Sequence, residues 1–398
     1  MKVKDLTFNR LLLENLVQSF IQKNLNTDIA QLLFKGSPFE HISIQELVGQ
    51  IEAKKRAESK LPTWFKTPNI YYPNKLNIEQ SSSEITAHYK TKLISGLSII
   101  DLSGGFGVDS YYFSKKFKEV THCEINECLS SIADHNFKML GTENIISISD
   151  DGIIYLKNTG KQFDWIYADP SRRNEIKGKV FMLKDCDPNI PDNLETLLQY
   201  GYHILIKASP MLDISKALTE LRFTKEVHVL AVQNEVKELL FVLKKNYQKE
   251  IRIKAVNIQK EIIDSFESIY KNDHEASYSL PQTYLYEPNS AIMKTGLFNE
   301  VSHQLKLSKL HINSHLYTSR ELINFPGRRF KISKILPYSP KEIKKHFPLL
   351  KANVTVRNFP ENVAQIRKKT KLKDGGSEYL FFTTDINNRH IVLVCSKV

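Results

Sequence analysis

The sequence is poor in cysteine, and its four cysteines are scattered along the chain. None of them forms a C-x-x-C pair, so neither a disulfide framework nor a zinc site is indicated, and a reducing cytoplasm is expected. The chain also lacks an apolar run of about 18 residues, and its N-terminus lacks the apolar core and cleavage site of a signal peptide. We therefore expect a protein without a membrane segment or a bound metal.

The basic excess is unevenly distributed. The chain carries a net charge of +12, and residues 325–398 hold 16 of the 56 basic residues but only 5 of the 44 acidic ones. The other 324 residues are almost neutral, with 40 basic and 39 acidic groups. Such a concentration of positive charge favours a polyanionic partner, nucleic acid first, over a merely well-solvated surface.

The 398 residues are too many for one ordinary core, and their pattern changes along the chain. Residues 1–66 show helical spacing, with Ser43 and Glu46 as a capping box. A proline-rich segment, 61–76, is predicted to be a linker. Strand and helix patterns alternate over 77–247, a small α+β lobe is expected over 250–324, and a basic α+β domain over 325–398.

Short β-branched runs predict the strands of the central domain: 97–102, 119–124, 145–149, 163–169, 202–207, 226–232 and 238–244. Helical segments separate the first five, which indicates a parallel, doubly wound sheet. Only about five residues join the last two, and a parallel crossover needs a dozen or more. The final pair must therefore be antiparallel, unlike the continuation of a dehydrogenase sheet.

A glycine-rich turn follows the first strand. Asp101 ends that strand, and Gly105 and Gly107 allow a tight turn and a close approach of the backbone to a ligand. A dinucleotide fingerprint would need a third glycine where Ser110 stands, so an NAD-dependent dehydrogenase is a weaker interpretation. Without a ligand, the same residues would be an unremarkable strand-to-helix turn.

Further acidic residues follow the later strands. Glu124 can accept the two hydroxyls of a ribose, Asp151 can reach an adenine amine, and Asp169 lies where a reacting group is expected. The alternative for each is a helix cap, which is most plausible for Asp151. Upstream, the hydroxyls and amide of Gln80, Ser83 and Thr86 could hold the amino-acid end of a cofactor or could form a serine-rich helix cap.

With these residues in place, the sequence resembles the class I S-adenosylmethionine (SAM)-dependent methyltransferases, whose motif I the segment DLSGGFG resembles. The resemblance implies a seven-stranded, Rossmann-like α/β sheet with an antiparallel last strand and SAM as cofactor. LPTW, EQSSSEITAHYK, DPSRR, YEPNSAIMK, FPGRRF and VRNFP are similar to a bacterial group of methyltransferases with a C-terminal THUMP-like domain. That resemblance implies an RNA substrate, tRNA or rRNA.

The segment Asp169-Pro170-Ser171-Arg172-Arg173 stands where amino-methyltransferases carry D/N-P-P-Y/F. Arg172 replaces the base-stacking ring, which weakens the assignment of an amine acceptor, although a guanidinium can stack on a base or bind phosphate. Arg173 beside it is a further candidate for RNA contact. Lys207, at the end of the fifth strand, could bind phosphate or assist proton removal, or could be a solvated lysine.

We therefore expect an RNA base methyltransferase in which Asp169 orients or deprotonates the acceptor. Basic residues next to aromatic ones suit contact with RNA phosphates and bases, and the candidates are Arg328, Arg329 and Arg357. Two alternatives remain: methylation of a protein or small molecule, and a non-catalytic RNA-binding protein that retains SAM.

Overall fold

The computed structural model describes residues 8–172, 182–260, 262–272, 274–347 and 351–398, with Arg172 described by its backbone alone. The chain divides into two compact units. The first comprises the residues up to Lys225 together with Leu239–Lys249, and the second comprises Glu226–Glu238 and Glu250–Val398.

The first unit begins with six helices: α1 (Asn15–Lys23), α2 (Ile29–Lys35), α3 (Ile44–Lys60), α4 (Pro62–Lys66), α5 (Lys75–Gln80) and α6 (Glu84–Thr91). The predicted capping box is present at the start of α3. The Ser43 hydroxyl accepts a hydrogen bond from the Glu46 amide (3.2 Å), and the Ser43 amide donates to the Glu46 carboxylate (2.8 Å). Two of the amide donors that a helix start leaves unpaired are thus satisfied.

The predicted linker over 61–76 is wrong, because this segment belongs to the core. Trp64, Tyr71 and Tyr72 are almost fully buried. The Tyr72 hydroxyl donates to the Trp64 carbonyl (2.9 Å), and the Tyr71 amide donates to the side-chain carbonyl of Asn136 (2.9 Å). Pro62 lies in the first turn of α4, where no intrahelical amide bond is required, so this proline starts a helix instead of breaking one.

A sheet with intervening helices follows. Its strands in this unit are β1 (Ser98–Asp101), β2 (Glu119–Cys123), β3 (Ile145–Ile148), β4 (Phe163–Ala168), β7 (Gly201–Ala208) and β9 (Glu235–Lys244). Two short strands, β5 (Ser171–Arg172) and β6 (Cys186–Asp187), pair with each other in a separate ribbon. Strand β8 (Thr224–Val232) precedes β9 along the chain. The helices are α7 (Val108–Ser114), α8 (Glu127–Met139), α9 (Gly152–Thr159), α10 (Ile190–Tyr200) and α11 (Ile214–Glu220).

The strand order in the first unit is β9-β7-β4-β1-β2-β3. Neighbouring strands from β3 to β7 are parallel, whereas β9 runs antiparallel to β7, with Lys207 opposite Leu240. The predicted parallel sheet with an antiparallel last strand is therefore confirmed. The carboxyl ends of β1, β2, β3, β4 and β7 lie at one edge, where ligands bind in open α/β sheets.

In the second unit, most of β8 pairs in parallel with β10 (Arg252–Gln259), which pairs antiparallel with β11 (Ile262–Ile269). An eight-stranded sheet follows in the order β12-β14-β15-β13-β16-β19-β18-β17. Its strands are β12 (Ser277–Tyr278), β13 (Tyr284–Pro288), β14 (Ser308–Lys309), β15 (Tyr317–Ser319), β16 (Gly327–Pro337), β17 (Asn353–Arg357), β18 (Glu378–Thr384) and β19 (His390–Lys397).

Four helices accompany these strands: α12 (Ser290–Thr295), α13 (Phe298–Leu305), α14 (Pro340–His346) and α15 (Val363–Thr370). The α+β character expected from residue 250 onward is thus observed. Across the described residues of both units, no helix combines the length and apolar character needed to cross a bilayer.

Candidate active site

The glycine-rich turn between β1 and α7 is built from glycines with two different roles. A Cβ atom on Gly104 would lie 2.1 Å from the His122 ring, and one on Gly107 would lie 2.4 Å from the Phe137 ring. These two glycines are required by packing. Gly105 has a left-handed backbone (φ +56°), and a Cβ there would meet only the Ser103 carbonyl, at 3.9 Å. Gly105 therefore leaves open space beside the turn, as a bound ligand requires.

Asp101 lies beneath this turn and is almost completely buried. Its carboxylate accepts hydrogen bonds from the Ser103 amide (3.1 Å) and the Ser110 hydroxyl (2.7 Å). Burial raises the pKa of Asp101 to about 7, because desolvation disfavours the charged form more than these two hydrogen bonds favour it. Asp101 thus holds both ends of the turn in place.

Glu124, directly after β2, faces the same turn. One carboxylate oxygen accepts a hydrogen bond from the Gly105 amide (2.9 Å), and the other accepts one from the Asn126 amide (2.8 Å). Burial raises its pKa. Each oxygen of a carboxylate can accept more than one hydrogen bond, so Glu124 retains capacity for the hydroxyls of a ribose.

Asp151 acts as a helix cap, as the alternative interpretation of this residue expected. One oxygen of its carboxylate accepts hydrogen bonds from the amides of Ile153 and Ile154, both at 2.9 Å, at the start of α9. Its contact with adenine stays a prediction.

Asp169 and Lys207 form an ion pair beyond the ends of β4 and β7. The Asp169 amide donates to the Ser103 hydroxyl (2.7 Å), which ties the segment after β4 to the glycine-rich turn. The Lys207 side chain is 12% exposed and the Asp169 side chain 33%, so a ligand at the edge of the sheet can reach the carboxylate. Pro170 is buried. The side chain of Arg172 and the whole of Arg173 lie outside the described residues.

A second ion pair, between Lys90 and Asp109, is buried near the first, and sequence reasoning missed it. The Lys90 ammonium is fully buried and lies 3.1 Å from the Asp109 carboxylate. Asp109 also accepts hydrogen bonds from the hydroxyls of Ser82 (2.7 Å) and Tyr167 (2.8 Å). Burial raises the pKa of Asp109, but the charges of Lys90 and Lys207 outweigh it and hold the pKa below its ordinary value. Helical spacing could have indicated that Lys90 is buried, since it lies one turn after the buried Thr86.

The serine-rich segment upstream caps a helix. The Ser83 hydroxyl accepts a hydrogen bond from the Thr86 amide (3.2 Å), and the Thr86 hydroxyl donates to the Ser83 carbonyl (3.1 Å). Gln80 is exposed at the end of α5. The cap that we considered for these residues is present, and their contact with a cofactor stays a prediction.

In the second unit, two of the three arginines predicted to bind RNA share one acidic partner. Arg328 donates from Nε to the Glu287 carboxylate (2.5 Å), and Nη2 of Arg357 lies 2.8 Å from the other oxygen of that carboxylate. The Glu287 side chain is only 4% exposed, whereas the side chains of Arg328 and Arg357 are 41% and 40% exposed. Arg329 lies opposite Tyr286 in the β13–β16 pair.

The residues around the turn fit an adenosine-containing cofactor. Gly105 offers open space, Glu124 offers carboxylate oxygens, and Asp101 fixes the turn from below. Among the described residues, no three His, Cys, Asp or Glu side chains are grouped so as to hold a metal ion.

The structure matches a crystal structure of a proposed methyltransferase from Porphyromonas gingivalis W83, with a TM-score of 0.89 and 31% identity over 98% of this chain and 100% of that one. A curated relative, an uncharacterized RNA methyltransferase from Mycoplasma mobile, is 33% identical over 160 residues. That match covers 38% of this chain and 42% of the relative, so the chain spans less than half of the relative's length.

Two family models match the C-terminal part of the chain. Residues 284–326 match a ferredoxin-like domain, and residues 327–397 match a THUMP domain-like family. These matches, together with the parallel sheet and its antiparallel last strand, confirm the resemblance described above. The chain therefore belongs to the family of the Porphyromonas gingivalis protein, and it carries a methyltransferase-like parallel sheet followed along the chain by a THUMP-like domain.

Proposed function

We propose that the protein is a SAM-dependent methyltransferase that acts on RNA. The observation that carries this proposal is the arrangement at the edge of the sheet. The open turn at Gly105, the Glu124 carboxylate and the Asp169–Lys207 pair all follow the carboxyl ends of neighbouring strands. This is the edge at which cofactor and acceptor would have to meet.

In this proposal the cofactor is held by residues at successive strand ends, with Glu124 on the ribose and Asp151 near the adenine. The hydroxyls and amide at the end of α5 and the start of α6 would hold the amino-acid end of SAM. The full set comprises Gln80, Ser83, Thr86, Asp101, Gly105, Gly107, Glu124, Asp151 and Asp169. When bound, SAM would supply a methyl group from its sulfonium to the lone pair of the acceptor, and the electron pair of the carbon–sulfur bond would stay on sulfur.

The chain's own task is then to bind the acceptor, align it and take its proton. Alignment is a large part of such catalysis, because it converts an encounter into a reaction within one complex. The hydrogen bond from the Asp169 amide to the Ser103 hydroxyl fixes the backbone of Asp169 relative to the glycine-rich turn, and the ion pair with Lys207 holds its carboxylate. Asp169 is therefore suited to orient the acceptor and to accept its proton.

RNA is favoured as the substrate by the charge of the C-terminal region and by the name of the Mycoplasma relative. The basic residues of 325–398, together with Arg173, would bind phosphates. The domain limits proposed above, 1–66, 77–247, 250–324 and 325–398, assign this role to the last domain. The four cysteines are all free, which suits a reducing cytoplasm.

The test compares RNA and protein as acceptors. RNA and protein are extracted from cells that lack the gene and are incubated with the purified protein and methyl-labelled SAM. We expect label in RNA only, and none with the Asp169→Ala variant. Label in protein alone would favour a protein substrate, and SAM binding without any transfer would favour a non-catalytic RNA-binding protein.

A further inference from the structure

The Asp169–Lys207 pair presents two complementary groups side by side, and this arrangement bears on which atom is methylated. Asp169 Oδ2 is a hydrogen-bond acceptor, and Lys207 Nζ, in contact with it, is a donor. Asp169 is one-third exposed, whereas Lys207 is largely covered. The inference below rests on the proposed function, since it concerns the acceptor of the same reaction.

Lys207 acts in this pair as a cation. Asp169 contacts its ammonium directly, and Asp109 lies near enough for the charge of Lys207 to act on its carboxylate. Lys90 lies on Asp109 as well, and the Asp101 carboxyl group, whose pKa burial raises, interacts with both Asp109 and Asp169. An opposite charge nearby favours the charged form of a group. Lys207 is therefore a donor of hydrogen bonds, and the proton acceptor of the pair is Asp169.

An acceptor–donor pair of this kind matches two sorts of base edge. The first is a ring N–H beside a carbonyl, as in guanine (N1 and O6) and uracil (N3 and O4). The second is an exocyclic amine beside an unprotonated ring nitrogen, as in adenine and cytosine. Proteins read such edges when the base is unstacked from single-stranded RNA.

The chemistry separates the two. On adenine or cytosine, Lys207 would donate to the ring nitrogen and withdraw electron density from the amine that must act as nucleophile. On guanine or uracil, it would donate to the carbonyl oxygen, which carries the negative charge left when the ring nitrogen loses its proton. Hydrogen-bond donors aimed at charge that develops in the transition state are usually the largest single source of catalytic stabilisation. The pair therefore favours the ring N–H edge.

We propose that the protein methylates a ring nitrogen next to a carbonyl, N1 of guanine or N3 of uracil, in an unpaired stretch of RNA. The N–H proton passes to Asp169 Oδ2 and from there to solvent, which reaches the partly exposed carboxylate. The lone pair left on nitrogen is the nucleophile, and Lys207 holds the negative charge on the neighbouring oxygen. The absence of an aromatic ring at Arg172 agrees with an acceptor other than an amine.

The first experiment identifies the product. RNA labelled by the protein is digested to nucleosides, and the methylated nucleoside is identified by mass spectrometry against standards. We expect 1-methylguanosine or 3-methyluridine. Label on an exocyclic amine, on carbon or on a ribose hydroxyl would overturn this inference and leave the proposed function standing, whereas no label in RNA would remove the proposed function itself.

The second experiment measures recognition without turnover. Saturation-transfer NMR is recorded on the full chain with S-adenosylhomocysteine and each of GMP, UMP, AMP and CMP. We expect GMP or UMP to bind, and Lys207→Met to weaken that binding roughly 10- to 100-fold, as the loss of a charged hydrogen bond does. Lys216→Met, which removes an exposed lysine on α11, is the matched control and should bind as the wild type does. Preferential binding of AMP or CMP would overturn the inference.

A third measurement distinguishes a chemical role of Lys207 from a structural one. If the ammonium stabilises the charge left on the carbonyl oxygen, Lys207→Met should make methylation depend more steeply on pH and recover activity as pH rises. Lys207→Arg keeps a donor and should recover part of the rate at neutral pH. A Lys207→Met variant whose rate is lowered equally at every pH, and which arginine does not rescue, would contradict the proposed role.

Discussion

Replacing Lys90 by methionine should destabilise the first unit severely. The Lys90 ammonium has no exposed surface and lies against the Asp109 carboxylate, whose side chain is 10% exposed. Methionine would keep most of the packing of the lysine stem but would leave the carboxylate buried without its cation. Breaking a buried ion pair by removing one partner costs about 3–5 kcal/mol.

The structure places the expected cost for Lys90→Met within that range. Asp109 keeps two hydrogen bonds in the variant, from Ser82 and Tyr167, so the lower half of the range applies. The effect should depend on pH. Lys90→Met removes the larger of the two charges that hold the pKa of Asp109 below its ordinary value, while Lys207 remains, so the folded-state pKa rises and protonation relieves part of the penalty. The difference in stability between variant and wild type should therefore shrink as pH falls towards 4.

The assay is urea unfolding at pH 7 and pH 4.5, followed by circular dichroism. The matched control is Lys54→Met. Lys54 is also buried and also has a lowered pKa, caused by burial, but it has no carboxylate within ion-pair distance among the described residues. This control should be neutral or stabilising. Equal stability losses for the two variants at both pH values would refute the reasoning, because the loss would then reflect packing and not an unpaired carboxylate.

Further predictions concern the cofactor turn, the acceptor and the basic domain. Gly105→Arg should abolish binding of SAM and S-adenosylhomocysteine in calorimetry; Gly105→Ala serves as control, since its left-handed backbone alone costs about 1–2 kcal/mol of stability. Asp169→Ala should lose methyl transfer yet keep cofactor affinity within about tenfold, because an acceptor-orienting group acts mainly on turnover; loss of SAM binding would contradict its role at the acceptor and leave it as a cofactor residue only. Folding stability should fall as pH rises from about 4 to 7 through the raised pKa of Asp101, and Asp101→Asn should flatten this dependence in unfolding curves. Replacing Arg328 and Arg329 together with glutamine should lower the log–log salt slope of RNA binding by about 0.7 for each phosphate that is no longer neutralised; an unchanged slope would mean that neither arginine touches phosphate.

The sequence predicted well those features that depend on local pattern. Alternation of strands and helices located β1 to β4 and β7, and the short connection before β9 required its antiparallel direction. Because side chains after neighbouring parallel strands meet at one edge, the proximity of Gly105 and Glu124 could also be expected. In the structure the Gly105 amide donates a hydrogen bond to the Glu124 carboxylate, and the cofactor contacts of both residues stay predictions.

Features that depend on distant partners could not be predicted in the same way. The Lys90–Asp109 pair joins residues on separate helices, and no periodicity indicates that these charges face each other. The prolines of 61–76 suggested a linker, because residue propensities do not show whether Trp64 and Tyr72 pack into a core. Arg328 and Arg357 were predicted to contact RNA, yet both form ion pairs with Glu287, which lies 41 residues before Arg328 in the sequence.

Ser103 has a consequence for the order of events during a catalytic cycle. Its amide donates to Asp101, beneath the cofactor turn, and its hydroxyl accepts from the amide of Asp169, beside the acceptor. A cofactor that rigidifies the turn would therefore also fix the backbone of Asp169 before RNA arrives. Product-inhibition kinetics should accordingly show cofactor binding first and leaving last, and Ser103→Ala, which removes one hydroxyl, should convert this compulsory order into a random one.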